Sequence, residues 1–223
     1  MPDSRPLLRL GAFGAGLSTL LLIVIALLSL ITGLEYPGLA VLTGQLTLSA
    51  AEQLAYLNGM RLLFVLDGFF LAGWLLAWVG LFHLVHARSP LFGWLTLAFG
   101  LAGALCDFGE NSLVWGAMQN LQTGAALNAD WVIGWKAVQH LSYWLPFLGA
   151  MFAAPSLWPG GWDEKAAALA GSVLLVPAVF GLYDPSYFLL AYGWFLIWFL
   201  VIGLLLWKSS SHFVSPRKEG IHV

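Results

Sequence analysis

Asp107, Glu110 and Asn111 stand at i, i+3 and i+4 in an otherwise apolar stretch, and no charged residue occurs between Leu91 and Cys106. On a helix this spacing puts two carboxyl groups and a carboxamide on one face. A charge at membrane depth is costly, so such groups usually face a protein interior and are functional candidates by default. Neighbouring carboxyls can divide acid and base roles when their surroundings differ. They can equally hold the polar head of a ligand.

Other isolated polar residues fall at similar depth. At about 1.5 Å per residue, Asp67 is placed roughly 12 Å below the outer end of its segment and Asp107 roughly 15 Å below the same surface. Lys136 and His140, four residues apart on one helical face, come out roughly 8 and 14 Å deep. Arg61 lies nearer the rim. Asp67, Asp107 and Glu110 bring negative charge; Arg61 and Lys136 bring positive charge, as does His140 when protonated. Buried charges are tolerated when paired. The expectation is therefore a balanced cluster, with Lys136 or His140 meeting the carboxyls from one side and Arg61 or Asp67 from the other. Gly100 and Gly103 lie on the face leading to Asp107, where small residues let a neighbouring helix approach closely.

The residue types leave three readings open. The first is a binding or sensing site for a small or amphipathic molecule, lipids included, reached from the outer leaflet. Pockets of that kind combine apolar walls with a few convergent polar groups. The second is a membrane enzyme in which Asp107 and Glu110, with His140, perform acid–base chemistry on a lipid or isoprenoid. No nucleophile motif, zinc-type histidine pair or phosphate loop accompanies them. The third is a structural ionic knot, with Arg61 and Lys136 reaching to the outer headgroups. Transport is disfavoured because no inverted repeat relates the two halves.

No cofactor is specified by the sequence, and no metal site is expected. His83 and His86 read as interfacial residues beside Arg88. His83 near the inner surface and His140 in the outer half cannot share one haem. Lys136 is the one lysine well inside a segment, and the last segment has none, so a retinal-type Schiff base is unsupported. A net charge of -2 with no basic tract gives no argument for a nucleic-acid partner.

These residues need helices to hold them at depth. Of the 223 residues 60% are hydrophobic and 9% charged, with a mean hydropathy of +0.85. Soluble domains carry about 25% charged residues, so the expectation is an all-α, polytopic protein of the cell membrane. A span takes roughly 20 apolar residues, and segments near 10–34, 59–86, 91–118, 131–154, 166–183 and 186–208 qualify or nearly do. The expected architecture is a single domain over 1–223, a six-helix transmembrane bundle. Arg88-Ser89-Pro90, Pro155 with Pro159-Gly160-Gly161, and Tyr183-Asp184-Pro185-Ser186 divide the segments. Pro146 and Pro177 fall inside spans, where kinks are expected. The first segment is too long for a signal-peptide core and lacks a clear cleavage site, so it reads as an uncleaved span.

Arg5, Arg9, Arg88, Lys165, Lys208, Arg217 and Lys218 fall on one side of this bundle, against Glu35, Glu52, Asp130 and Asp184 on the other. By the positive-inside rule both termini are cytoplasmic. The outer loop from Glu35 to Asn58 contains Ser49-Ala50-Ala51-Glu52, a capping box that starts a helix. That helix either runs into the second span or bends at Asn58-Gly59. Trp94, Trp158, Trp162 and Trp207 suit an inner interfacial belt, and Trp115 and Trp131 an outer one. Trp74 and Trp78 share a stripe with Asp67 and Leu71 and read as core packing. Cys106, the single cysteine, is a small packing residue.

Overall fold

The computed structural model describes residues 4–33, 39–43, 48–123, 127, 129–173 and 187–212. The described residues form helices and no strands: α1 (Arg5–Thr32), α2 (Leu39–Leu42), α3 (Ala50–His86), α4 (Pro90–Thr123), α5 (Ala129–Leu157), α6 (Trp162–Val173) and α7 (Tyr187–His212). Glu35, Pro177, the turn at 183–186, Arg217 and Lys218 lie outside them. By length and composition α1, α3, α4 and Tyr192–Ser211 of α7 can cross a membrane. Their outward faces carry large apolar side chains, such as Phe13, Leu30, Ile31 and Leu105. Such stripes are unfavourable in water and natural in lipid.

The local signals act as the chemistry dictates. Ser49 Oγ accepts the Glu52 N–H, and the Glu52 carboxylate accepts the Ser49 N–H at 2.8 Å, closing the capping box at the start of α3. From there α3 runs unbroken across Asn58-Gly59 for 37 residues, about 55 Å at the usual rise. α4, at 34 residues, is about 51 Å long. Both exceed a hydrocarbon slab of about 30 Å. α1 ends at Gly33, whose φ of 64° is left-handed and open to glycine at little cost. α5 continues through both Pro146 and Pro155.

Small residues bring the helices together. A Cβ on Gly11 of α1 would lie 2.6 Å from Gly80 Cα of α3, and one on Gly14 would lie 2.5 Å from the Gly73 carbonyl oxygen. At this crossing Ser18 Oγ donates to the Phe70 carbonyl at 3.1 Å. Leu206 of α7 reaches both Gly11 and Gly80, so the start of α1, the end of α3 and the end of α7 are level. α4 joins them through Gly100, which lies against the Trp78 ring, while Gly103 receives Pro146 of α5. Trp74 Nε1–H donates to the Gly100 carbonyl at 3.2 Å. Trp74 and Trp78 are thus core residues, both almost fully buried.

The basic residues gather at one end. Arg88, after α3, forks onto Glu164 of α6 and donates to the Ser156 carbonyl at 2.9 Å. Lys208 of α7 meets Asp163 at 3.1 Å. Burial alone would raise the Asp163 carboxyl, but Lys208 and nearby backbone amides outweigh it and hold the group below its ordinary value. With Arg5 and Arg9 at the start of α1 and Lys165 in α6, this end carries every described lysine and arginine except Arg61 and Lys136.

Candidate functional site

The inward face of α4 changes character along its length. Gly93, Thr96, Gly100, Gly103 and Ala104 come first, then Glu110, then Val114, Ala117 and Met118. The buried face of α3 shows the matching interruption. Leu63 and Phe70 are buried on either side of Asp67, with no fully buried residue between them. The interior therefore holds two apolar clusters. One contains Phe70, Trp74, Trp78, Tyr143, Phe147, Trp198 and Phe199. The other contains Val41, Leu42, Tyr56, Leu57, Met60, Leu63, Val114, Met118 and Trp135. Between them sits a polar layer.

Glu110 is the deepest member, only 6% exposed. Its carboxylate accepts Gln139 Nε2–H at 3.2 Å and Ser142 Oγ–H at 3.4 Å, both from α5. Ser142 also donates to the Gln139 carbonyl at 2.8 Å, so its bond to Glu110 is the secondary one. The buried Trp135 indole N–H lies near the same carboxylate but closes no well-formed hydrogen bond among the described residues. Across the layer, Asp67 Oδ2 accepts Asn111 Nδ2–H, and the Asp67 carboxyl lies against that of Asp107. Asp107 Oδ2 is buried without a hydrogen-bond partner among the described residues. Tyr143 of α5, buried, meets the 44% exposed Tyr192 of α7 edge to face, with ring centroids 5.7 Å apart.

Asp67, Asp107, Glu110 and Asn111 are thus brought together. The expected cations are placed otherwise. Arg61 is exposed and donates to Asn58 Oδ1 at 3.3 Å, on its own helix. Lys136 is exposed on α5, and His140, one turn on, is partly buried beside it. The partners that α5 supplies to Glu110 are Gln139 and Ser142, in place of the expected Lys136 or His140. The reason is rotation. Trp135, Gln139, Ser142 and Pro146 share the face of α5 that meets Glu110; Lys136, His140 and Tyr143 lie on the adjoining face, roughly 100° around, where Tyr143 is buried, His140 half-buried and Lys136 exposed. Depth along a helix is legible in sequence, but its rotation about its own axis is set by neighbours. The i, i+4, i+7 spacing of Trp135, Gln139 and Ser142 was the signal available for the correct face. Tyr143 and Tyr192 carry no comparable signal.

The layer presents carboxyl oxygens whose protein partners are neutral amides and hydroxyls. Such donors satisfy buried carboxyls in part, and they leave the layer suited to a positively charged or hydrogen-bond-donating group. Among the described residues no set of three or more His, Cys, Asp or Glu side chains is arranged to hold a metal ion. Comparison with known proteins finds no matching family model, no matching curated protein and no matching solved structure.

Proposed function

We propose that this is a multi-pass protein of the cell membrane that binds a small amphipathic molecule entering from the outer leaflet, with its polar head on the Asp67–Asp107–Glu110 layer. The observation that carries this reading is the convergence of three carboxyl side chains from α3 and α4 between two apolar clusters, met by neutral donors. A ligand head with a positive charge or N–H donors complements that surface, and an apolar tail suits the aromatic surroundings. The reading places the whole chain, 1–223, in one six-span domain over about 10–34, 59–86, 91–118, 131–154, 166–183 and 186–208. The gathering of Arg5, Arg9, Arg88, Lys165 and Lys208 at one end supports cytoplasmic termini.

Binding of a long-chain alkylamine and of the matching alkyl carboxylate to the purified protein tests the site. The amine is expected to bind, and to be lost in Glu110→Gln; equal binding of both, or of neither, refutes the assignment. Cysteines introduced at Ser49 and Ser211 test orientation. An impermeant reagent is expected to label only the former in intact cells.

One observation favours a second reading. Asp107 Oδ2, buried and unpartnered among the described residues, is placed as an acid or base would be. Under that reading the wild type converts a supplied lipid and Asp107→Asn does not.

A further inference from the structure

Asp67 and Asp107 form a carboxyl pair that no cation of the protein balances. Asp67 Oδ2 accepts Asn111 Nδ2–H, and Asp107 lies one turn before Asn111 on the same face of α4. The two aspartate carboxyls therefore meet. We propose that this pair holds one proton, donated by Asp107 to Asp67, and that a cationic head binds by taking the proton's place. The exchange rests on the binding reading above and gives that site a coupling to protons.

The three carboxyls differ in what their neighbours supply. Glu110 is ringed by donors: Gln139 at 3.2 Å, Ser142 at 3.4 Å, and the indole N–H of Trp135, a residue only 4% exposed, close by. Neutral donors of this kind hold a carboxylate in its charged form. Asp67 has the Asn111 amide. Asp107 has neither: its Oδ2 is sealed from solvent and has no hydrogen-bond partner among the described residues. An ionised Asp107 would face two anions with no N–H or water at that oxygen to offset them. A proton removes the conflict and needs no room, because it turns two repelling carboxyls into a donor and an acceptor. Glu110 is then the standing anion of the layer, and the aspartate pair its proton store.

The titratable groups around the pair offer no other balance. Asp67 comes from α3, Cys106 and Glu110 from α4, Tyr143 from α5 and Tyr192 from α7. None of these brings a positive charge. Lys136 is exposed, His140 sits beside it on the adjoining face of α5, and Arg61 is exposed on Asn58. Asp67 and Asp107 are themselves half-buried, so the pair lies at the rim of the layer, within reach of a head group. When an ammonium arrives, its N–H groups replace the shared proton as donors to both aspartates. Asp107 ionises and its proton passes to the outer aqueous phase. One positive charge enters as one leaves, so the net charge of the layer is conserved and acid competes with the ligand.

The test uses the full chain purified in neutral detergent and reads the proton first, with no ligand present. Infrared spectroscopy at neutral pH is expected to show the C=O stretch of a protonated carboxylic acid, shifted in heavy water. The band should persist in Glu110→Gln and vanish in Asp107→Asn, whose amide keeps the shape and donates to Asp67 in the proton's stead. A long-chain alkylamine is then expected to abolish the wild-type band and to release one proton per amine bound, read with a pH dye in weak buffer. Its affinity should weaken about tenfold for each unit of acidification while the exchange is one for one. No band in the wild type, or a band that survives in Asp107→Asn, overturns the pair. Amine bound without proton release overturns the exchange. An amine that fails to bind a protein showing the band also ends the exchange, but through the binding reading, and the band itself tells that case from the first.

Discussion

Replacing Glu110 separates a ligand site from a structural knot, because its contacts put a ceiling on its structural contribution. The carboxylate accepts two hydrogen bonds, from Gln139 at 3.2 Å and from Ser142 at 3.4 Å. Both are long, which places each at or below the lower end of the range for a charged acceptor, about 1.5 kcal/mol. The Ser142 hydroxyl loses little, because its shorter bond to the Gln139 carbonyl at 2.8 Å remains. In Glu110→Gln the new amide oxygen still accepts from Gln139, so the cost should stay below about 1 kcal/mol. In Glu110→Leu the Gln139 amide loses its acceptor, but Gln139 is only half-buried and the leucine removes a desolvated carboxyl. The net loss should be no more than about 2 kcal/mol. Denaturant titration in mixed micelles measures both. Amine binding, followed in the same samples, should be lost in both. A knot that holds helices through an ion pair behaves differently, since breaking a buried pair costs about 3–5 kcal/mol. A loss of that size in Glu110→Gln would refute the reasoning and leave the layer structural.

Three further outcomes are expected. Gly100→Ala would put a Cβ 2.3 Å from Trp78 Cδ2, and Trp78 is backed by Trp198 at 4.9 Å between ring centroids. Neither ring can yield, so the variant should lose about 3 kcal/mol, whereas Gly116→Ala, with nothing within 4 Å, should be neutral or slightly stabilising in the same titration. Trp74→Phe keeps the aromatic packing but removes the 3.2 Å bond to the Gly100 carbonyl, and should cost about 1 kcal/mol. The Lys208–Asp163 pair should show up in the pH dependence of stability. Asp163 is held below its ordinary value, so the stability it contributes is present above the ordinary aspartate range and lost as pH falls through its lowered value. Lys208→Met should therefore be less stable than the wild type at neutral pH, and the two midpoints should converge in acid. A constant gap at all pH values would show that the loss comes from packing of the lysine stem.

The sequence by itself determined the helical, membrane-like class and two helix boundaries, the start of α3 and the α3–α4 turn, whereas α5 runs on through Pro155, where the sequence had placed a break. Hydropathy, the Ser49–Glu52 box and the proline-bearing turn at Arg88-Ser89-Pro90 are local signals, and local energies settle them. It also determined the polar face of α4, because Asp107, Glu110 and Asn111 lie on one helix and their spacing fixes their mutual direction. Asp67 came within reach through depth alone. Tertiary structure decided which face of α5 looks inward, and so gave Glu110 the neutral partners Gln139 and Ser142 where charge balance had pointed to Lys136 or His140. It likewise brought Arg88, Glu164 and Ser156 together across 76 residues of chain. The physical reason is the same in both places. A helix's rotation about its own axis is not a property of its sequence but of the surfaces it meets. For α5 that meeting is Pro146 seated on Gly103 of α4, a contact that turns Trp135, Gln139 and Ser142 toward the carboxyls and leaves Lys136 facing out.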